Sequence, residues 1–570
     1  MDSVNTSYTT VVGLEIHAEL LTRTKIFCGC PNAFGGAENE NVCPGCLGLP
    51  GTLPALNRAA VDQAIRAGLA LGCEISRLTS WDRKSYFYAD LPNGYQITQM
   101  YAPICTGGGL KAGDRFVRLN HIHLEEDAGK LIHDGARNTT RIDFNRAGVP
   151  LIEIVTEPDM RSAGEAVAFV ENVRMALLYA GVCDGKMEQG SLRVDANVSV
   201  MPEGAREFGT RVEIKNINSF RNVALAIEYE ANRQMQTLAG GGAIRQETRR
   251  FSDVSGTTSA MREKEDAPDY RYCPDPDIPP LHISETYIES LRASLGEPPE
   301  SRKARYVGEY GMAASDADTI LARKIVSDFL DATVALGAEP KDALGVVRGE
   351  ILRNIGDYGV ERIGVAPGDV VRLLRMAKAG EISANNMKKA IGILMRGGDR
   401  GADRKTVSGG DDIASGSGVL SSAGDRGGAL SGAGDRSGVS SGASDRGGVF
   451  SGVGSGSDAL SGAGNGSGVF SGAGGRSGAH ADAISEGDVP ALSLDEILSD
   501  YNMLIREDPE KLASAVRDVL AANPAAVRSF KDGETKVFGF FMGQCNKTLR
   551  GSVQPATLEK EIRAQLDKLP

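Results

Sequence analysis

Four of the nine cysteines in this chain fall within nineteen residues, as Cys28-Gly29-Cys30 and, twelve residues on, Cys43-Pro44-Gly45-Cys46. No other feature restricts the fold as much, because four thiols this close in sequence must be joined, ligated or held apart. The spacing fits one tetrahedral Zn2+ bound by four thiolates, with Pro31, Pro44 and Gly45 turning the loop back on itself. The alternatives are two disulfides or four unrelated thiols. Disulfides persist in secreted proteins, and nothing else in the chain points to secretion. The N-terminal stretch MDSVNTSYTT has neither the basic nor the apolar region of a signal peptide. Four thiolates leave no open position for a water, so the zinc is expected to be structural. Cys73, Cys105, Cys183, Cys273 and Cys545 are scattered and read as small packing residues.

A chain of 570 residues has room for two to four domains. With 41% hydrophobic and 24% charged residues it has the composition of a soluble globular protein. No apolar run approaches the roughly 20 residues of a membrane span, so a cytoplasmic protein with no membrane partner is expected. The net charge of −12 weighs against broad nonspecific binding to nucleic acid and leaves room for a local basic patch. Residues 1–294 read as mixed α and β, 295–396 as helical, 397–487 as low-complexity and 488–570 as helical again. From Ser421 to His480 the chain repeats in blocks of ten such as SGAGDRSGVS. One apolar side chain per block cannot offset backbone ordering of about 1–2 kcal/mol per residue. A disordered linker is therefore expected there, in preference to a solenoid. Ser315 or Asp316 is positioned to cap a helix carrying Ile320, Leu321, Ile325, Phe329 and Leu330. Asp508-Pro509 and Asn523-Pro524 each read as a helix start.

The first region holds strand-like segments in which polar and apolar residues alternate. Period two places Glu15 with His17; His121 and His123 with Glu125; Arg193 with Asp195, Asn197 and Ser199; and Arg211 with Glu213 and Lys215. Each set alone is the wet side of an antiparallel strand. Together they can bind a divalent metal. A carboxylate-rich set with few histidines suits Mg2+ or Mn2+ better than a second zinc, and such ions serve phosphate chemistry. No P-loop pattern is present, so any ATP site is of another kind. Two segments rich in cations and phenols, Asp82–Gln96 and Arg262–Tyr272, read as substrate-lining loops.

The same segments resemble the B subunits of the tRNA-dependent amidotransferases, the GatCAB complexes. The resemblance runs through Val12-Gly13-Leu14-Glu15-Ile16-His17, Asp82-Arg83-Lys84-x-Tyr86-Phe87-Tyr88, His123-Leu124-Glu125-Glu126-Asp127-Ala128-Gly129-Lys130 and Pro150-Leu151-Ile152-Glu153-Ile154-Val155. It continues in Lys186-Met187-Glu188-x-Gly190-Ser191-Leu192-Arg193-x-Asp195-Ala196-Asn197, in Glu213-Ile214-Lys215-Asn216-x-Asn218-Ser219-Phe220, in Gln246–Arg250 and in Asp269-Tyr270-Arg271-Tyr272. It resumes at the C-terminus in Gly539-Phe540-x-x-Gly543-Gln544.

The resemblance implies an α+β fold: a β-rich cradle with surrounding helices, then a helical domain and a small helical tail that binds tRNA. It implies a heterotrimer, with a glutaminase as the A component and a small C component. It also implies a reaction, in which ATP and Mg2+ serve to phosphorylate the side-chain carboxylate of Glu-tRNA(Gln) or Asp-tRNA(Asn), and ammonia from the glutaminase then displaces phosphate. Glu15, His17, Glu125 and Glu126 match the family positions around Mg2+. Lys84 and Arg193 are expected to face the nucleotide phosphates, and Asp195 to bind metal or orient ammonia. The cysteine quartet matches a zinc site that only some members carry. The long repeat and Cys273, where relatives usually have an aromatic, depart from the family pattern. Two other readings stay open: a noncatalytic zinc scaffold that binds RNA, and the glutamate-specific amidotransferase component of archaea.

Overall fold

The computed structural model describes residues 7–261, 270–357, 363–397, 492–501, 503–505, 508–549 and 553–569. The repeat expected as a linker, 397–487, lies outside the described residues apart from Gly397. The chain divides into two compact units, Met1–Met395 with Leu504–Pro570, and Arg396–Met503. In the second, helix Leu494–Asp500 starts with a capping box: Ser493 Oγ accepts from Glu496 N–H while the Glu496 carboxylate accepts from Ser493 N–H.

The first unit is mixed α and β, built on a ten-stranded sheet. Five strands form its middle: β1 (Tyr8–Glu19), β2 (Arg115–Glu126), β3 (Pro150–Thr156), β4 (Leu192–Pro202) and β5 (Val212–Ile217). They lie in the order β5-β4-β1-β3-β2, every neighbour antiparallel. Strands Thr248–Ser252 and Thr257–Ala260 extend the β5 side; Cys105–Thr106 and Glu74–Ile75 extend the β2 side. A separate three-stranded sheet joins Cys273–Pro274, Asp82–Ser85 and Tyr95–Thr98.

Alternation decides what each face does. Leu14, Ile16 and Ala18 of β1 are buried with Ile122 and Leu124, Ile152 and Ile154, Val194, Ala196 and Val198, and Ile214. They share one apolar cluster with residues of helices α1 (Arg58–Ala70), α2 (Ala163–Ala180) and α3 (Phe220–Ala239). Each helix begins where a polar side chain takes a free amide: Asn57 Oδ1 from Ala59, Ser162 Oγ from Glu165 and Ser219 Oγ from Asn222. Gly181 ends α2 in the left-handed conformation that a side chain disfavours. With one face of the sheet filled, the polar residues of alternate positions are left on the other.

Beyond the sheet come short helices, among them Pro299–Gly308, Ala314–Leu321, Lys324–Ala335 and Pro367–Ala379. The single helix expected around Ile320 to Leu330 is two helices, and neither Ser315 nor Asp316 caps it: Ala313 is the N-cap, with no side-chain bond. The break falls at Arg323, which is extended, and Tyr179 donates its hydroxyl to the freed Leu321 carbonyl at 3.0 Å. At the C-terminus Asp508 caps helix Pro509–Ala522, and Pro524 opens Pro524–Lys531. Here Asn523 makes no side-chain cap; its amide instead donates to Val519 O. Leu512, Val516 and Leu520 pack with Phe541, Leu558, Ile562 and Leu566 in a small core of the tail.

Close approach of α1 to the sheet depends on Gly68. A Cβ there would run into Cys105 Sγ and stand 2.9 Å from Ile75 Cδ1. Alanine would help an isolated helix by about 1 kcal/mol, but overpacking costs about 1–3 kcal/mol. Gly68→Ala is therefore expected to destabilise the protein by up to about 2 kcal/mol. Urea denaturation checks this; an unchanged or higher midpoint would show that α1 can retreat from Cys105.

Candidate functional site

Strand register builds a row of charged groups across the polar face. Arg193 of β4 pairs with His17 of β1, His17 with Glu153 of β3, and Glu153 with His123 of β2. Directly paired residues in an antiparallel ladder lie on the same face. Glu125, two residues along β2, joins them. His17 Nε2 stands 3.3 Å from Glu153 Oε2 and 3.7 Å from Glu125 Oε1. His123 Nε2 stands 3.5 Å from Glu153 and 3.6 Å from Glu125. His121 stacks on His123 with ring centroids 5.2 Å apart. His17, Glu125 and Glu153 each offer a ligand atom within 4.8 Å of the others.

A buried carboxylate, Glu125, and a half-buried one, Glu153, draw positive charge to the row. Burial alone would push His17 down, but Glu153 and Glu125 outweigh it and raise its pKa to about 9. His123 is raised against the same burial penalty by Glu125 and Glu153. Burial works to raise Glu153, yet its hydrogen bond to His17 and the charges of His17, His123 and Lys84 hold it well below the carboxylate range. His121 moves the other way, lowered by burial and by His123. One imidazole with two carboxylates suits a divalent ion that keeps some of its waters.

A second acidic group lies beside the first. Glu15, Asp195 and Glu213 converge, with Glu15 and Asp195 paired across β1 and β4. Lys215 supplies their positive charge, at 2.7 Å from Asp195 and 2.8 Å from Glu213. Asn197 donates to Glu15 Oε1 at 3.0 Å. Burial raises the Glu15 pKa, and the charge of Glu153 raises it further. On the other flank Arg193 bonds Asp127 at 2.6 Å, and its Nε is buried without a partner. Lys84 lies over the Tyr270 ring at 5.0 Å. Burial opposes its charge, but Glu125 leads the groups that raise its pKa, Glu153 among them. Tyr86, Tyr270 and Tyr272 form an edge-on chain of rings beside it.

The structure thus brings together His17 and Glu125, with Lys84 and Arg193 around them. Glu15 and Asp195 belong to the neighbouring cluster. Glu126 stands apart from both. Period two turns it to the side of Ile122 and Leu124, where it is buried and its Oε1 accepts from Ile97 N–H at 3.0 Å. Burial pushes its pKa up to about 7. Glu153 occupies the centre of the row and was not among the expected ligands. Its signal was present, since it is the one acid in the otherwise apolar Pro150–Val155.

The four cysteines of the loop between β1 and α1 converge as their spacing predicts. Cys46 Sγ lies 3.8 Å from Cys28 Sγ and 3.6 Å from both Cys30 and Cys43. A tetrahedron with metal–sulfur bonds of about 2.3 Å has edges of about 3.8 Å, whereas a disulfide needs about 2.0 Å. All nine cysteines are unpaired. Hydrogen bonding from Cys28 lowers Cys46 to about 4, while burial raises Cys30 to about 11. The quartet could hold a metal ion, and its sulfur spacing is consistent with structural zinc. No described helix is long and apolar enough to cross a membrane.

A model of the GatB/GatE catalytic domain matches residues 10–289, and a model of the GatB domain matches 484–566. The chain is 39% identical over 569 residues to the B subunit of the aspartyl/glutamyl-tRNA(Asn/Gln) amidotransferase of Ruminiclostridium cellulolyticum, covering 99% of this chain and 98% of that one. The chain belongs to this family of amidotransferase B subunits. It is also 48% identical over 426 residues to the B subunit from Anaeromyxobacter sp. (strain Fw109-5), covering 73% and 88%, and 37% identical over 566 residues to that from Caldicellulosiruptor saccharolyticus, covering 99% and 100%. The resemblance seen in the motifs is therefore borne out along the whole length.

Two metal measurements follow. Calorimetric titration of the metal-free protein with Mn2+ at neutral pH is expected to release about one proton per ion, because His17 must give up its proton to become a ligand. Glu153→Gln should weaken this binding at least about tenfold; equal affinity would remove Glu153 from the site. Separately, the purified protein should carry one zinc, and Cys43→Ser should lose it. A chain with less than half an equivalent of zinc that gains none on supplementation would contradict the tetrathiolate.

Proposed function

We propose that this chain is the kinase and transamidase component of an aspartyl/glutamyl-tRNA(Asn/Gln) amidotransferase, working with a glutaminase (the A component) and a small C component. Family membership supports a ligase of this type, since the relatives named above are B subunits of such amidotransferases. The observation that carries the mechanistic reading is the row Arg193–His17–Glu153–His123 with Glu125, in which two carboxylates are neutralised by imidazole protons that an ion can replace, with Lys84 close by.

A carboxylate is a poor electrophile because its leaving group would be oxide. Phosphorylation corrects that. An oxygen of the tRNA-linked glutamate or aspartate side chain attacks the γ-phosphorus of ATP, and ADP leaves. Ammonia nitrogen then attacks the acyl carbon, loses a proton, and inorganic phosphate leaves with the former carboxylate oxygen. A Mg2+ at the site would neutralise charge on the transferring phosphoryl group. His17, Glu125 and Glu153 would hold that ion, and Glu126 would fix the end of β2 through Ile97. Lys84 and Arg193 offer charge-assisted donors to phosphate oxygens. Glu15, raised above the usual carboxylate range by burial and by Glu153, is suited to take the proton that ammonia sheds. Asp195, held by Lys215, orients the incoming nitrogen beside it.

Two experiments test this reading in the reconstituted heterotrimer. Glu125→Gln is expected to abolish amide formation while leaving glutamine hydrolysis by the glutaminase measurable. Near-normal transamidation at limiting Mg2+ would sink the assignment. We also propose that the tail binds tRNA, as the family resemblance implies. From Ala525 to Pro570 there are eight Lys/Arg and five Asp/Glu, a surplus of three positive charges in an acidic chain. Removing residues 488–570 should weaken tRNA binding, with less effect on ATP binding. Unchanged tRNA affinity at physiological salt would refute a role for the tail.

A further inference from the structure

Arg193 pairs with His17 at one end of the charged row, but strand pairing fixes only its backbone. A side chain this long swings freely unless its guanidinium is held. Asp127, two residues past Glu125, holds it. Arg193 Nη2 donates to Asp127 Oδ2 at 2.6 Å and Nη1 to Oδ1 at 3.4 Å, so two nitrogens of the fork meet both carboxylate oxygens. Asp127 is itself fixed through main chain and side chain, and it is buried. Its N–H donates to Val149 O, its carbonyl accepts from Gly148 N–H, and its Oδ1 accepts from Ala128 N–H, each at 2.9 Å. A second guanidinium shares the carboxylate: Arg146 Nε stands 3.2 Å from Asp127 Oδ2. Arg146 is anchored in turn, donating from Nε to Ala128 O and from Nη2 to Gly129 O, each at 3.1 Å. Within this trio one negative charge faces two positive ones. The Arg193 side chain keeps 33% of its surface open, whereas Asp127 keeps 6%.

We propose that Asp127 is a positioning residue for phosphoryl transfer, aiming the Arg193 guanidinium at the nucleotide phosphates, while Arg146 shares the Asp127 charge so that Arg193 keeps its own for the ligand. An arginine that binds an anion needs both a fixed direction and a positive charge left over after its internal pairing. A carboxylate paired with Arg193 alone would supply the first and remove the second. The second guanidinium restores the balance. This rests on Arg193 being a contact of the nucleotide.

The test is a double-mutant cycle in the reconstituted heterotrimer, reading the Kd for Mg2+-ATP and the Kd for tRNA separately by calorimetry. Asp127→Asn keeps the shape of the side chain and loses its charge. It is expected to weaken Mg2+-ATP binding about tenfold, with tRNA affinity within about twofold of the parent. In an Arg193→Gln background the same substitution should change the Kd for Mg2+-ATP by less than about twofold, because no guanidinium is left to aim. Arg146→Gln alters the more exposed arginine and serves as the second variant if Asp127→Asn folds poorly. It should weaken Mg2+-ATP binding about threefold, and again only while Arg193 is present. An equal effect in both backgrounds, or a parallel loss of ATP and tRNA affinity, would mark a part in folding alone and overturn the proposal. So would an unchanged Kd for Mg2+-ATP in both Asp127→Asn and Arg146→Gln. Unchanged Mg2+-ATP binding by Arg193→Gln itself would instead remove Arg193 from the nucleotide and overturn the reading on which the proposal stands.

Discussion

The pairing of His17 with Glu153 across two antiparallel strands is the constraint on which the site depends. It fixes the register of β1 against β3, and register in a half-buried sheet is all or nothing. A slip of one residue would carry His17 into the apolar cluster and bring Ile16 out of it. The buried Ile16, Ile152 and Ile154 and the polar row are therefore two consequences of one alignment. Packing energy on the helix-covered side holds the charged groups in place on the other. The charged groups gain little from solvent, which is why their pKa values move as far as they do.

Much of this was legible in the sequence where chemistry and spacing are local. The cysteine quartet is such a case, since two close pairs bounded by turns leave few arrangements. The Glu15–His17 and His121–Glu125 faces are others, because period two needs only a few residues to be read. Cross-strand partners were harder to read. His17 and Glu153 are far apart in sequence, and no local pattern says which strand lies beside which. Glu153 stands out as an isolated acid in an apolar run, but nothing near it in sequence names His17 and His123 as its partners. Glu126 illustrates the opposite difficulty. It is adjacent to Glu125 in sequence, yet alternation sends it to the far side of the strand, toward Ile97. The split between Ala314–Leu321 and Lys324–Ala335 depends on a tertiary bond from Tyr179, which helical periodicity does not contain.

The two acidic clusters are neutralised in different ways. Around Glu15, Asp195 and Glu213 the cation is a residue of the chain, Lys215, and the charge is fixed. Around Glu125 and Glu153 it is an exchangeable proton on His17 or His123, and the charge can be replaced. A proton of the second kind can be displaced by an incoming ion, whereas the lysine of the first cannot.

Strand order also governs how the molecule is made. β1 precedes every other described strand, yet its two hydrogen-bonding neighbours are β3 and β4, made well over a hundred residues later. Until then its backbone edges are open on both sides, the state most prone to wrong pairing. The cysteine loop that follows β1 closes over fewer than twenty residues, and short loops close quickly. Metal capture there would give the nascent chain an early folded point next to its most exposed strand. Zinc captured there would bear on the order of assembly as well as on the finished fold, and a member of the family without it would need another way to shield β1 during synthesis.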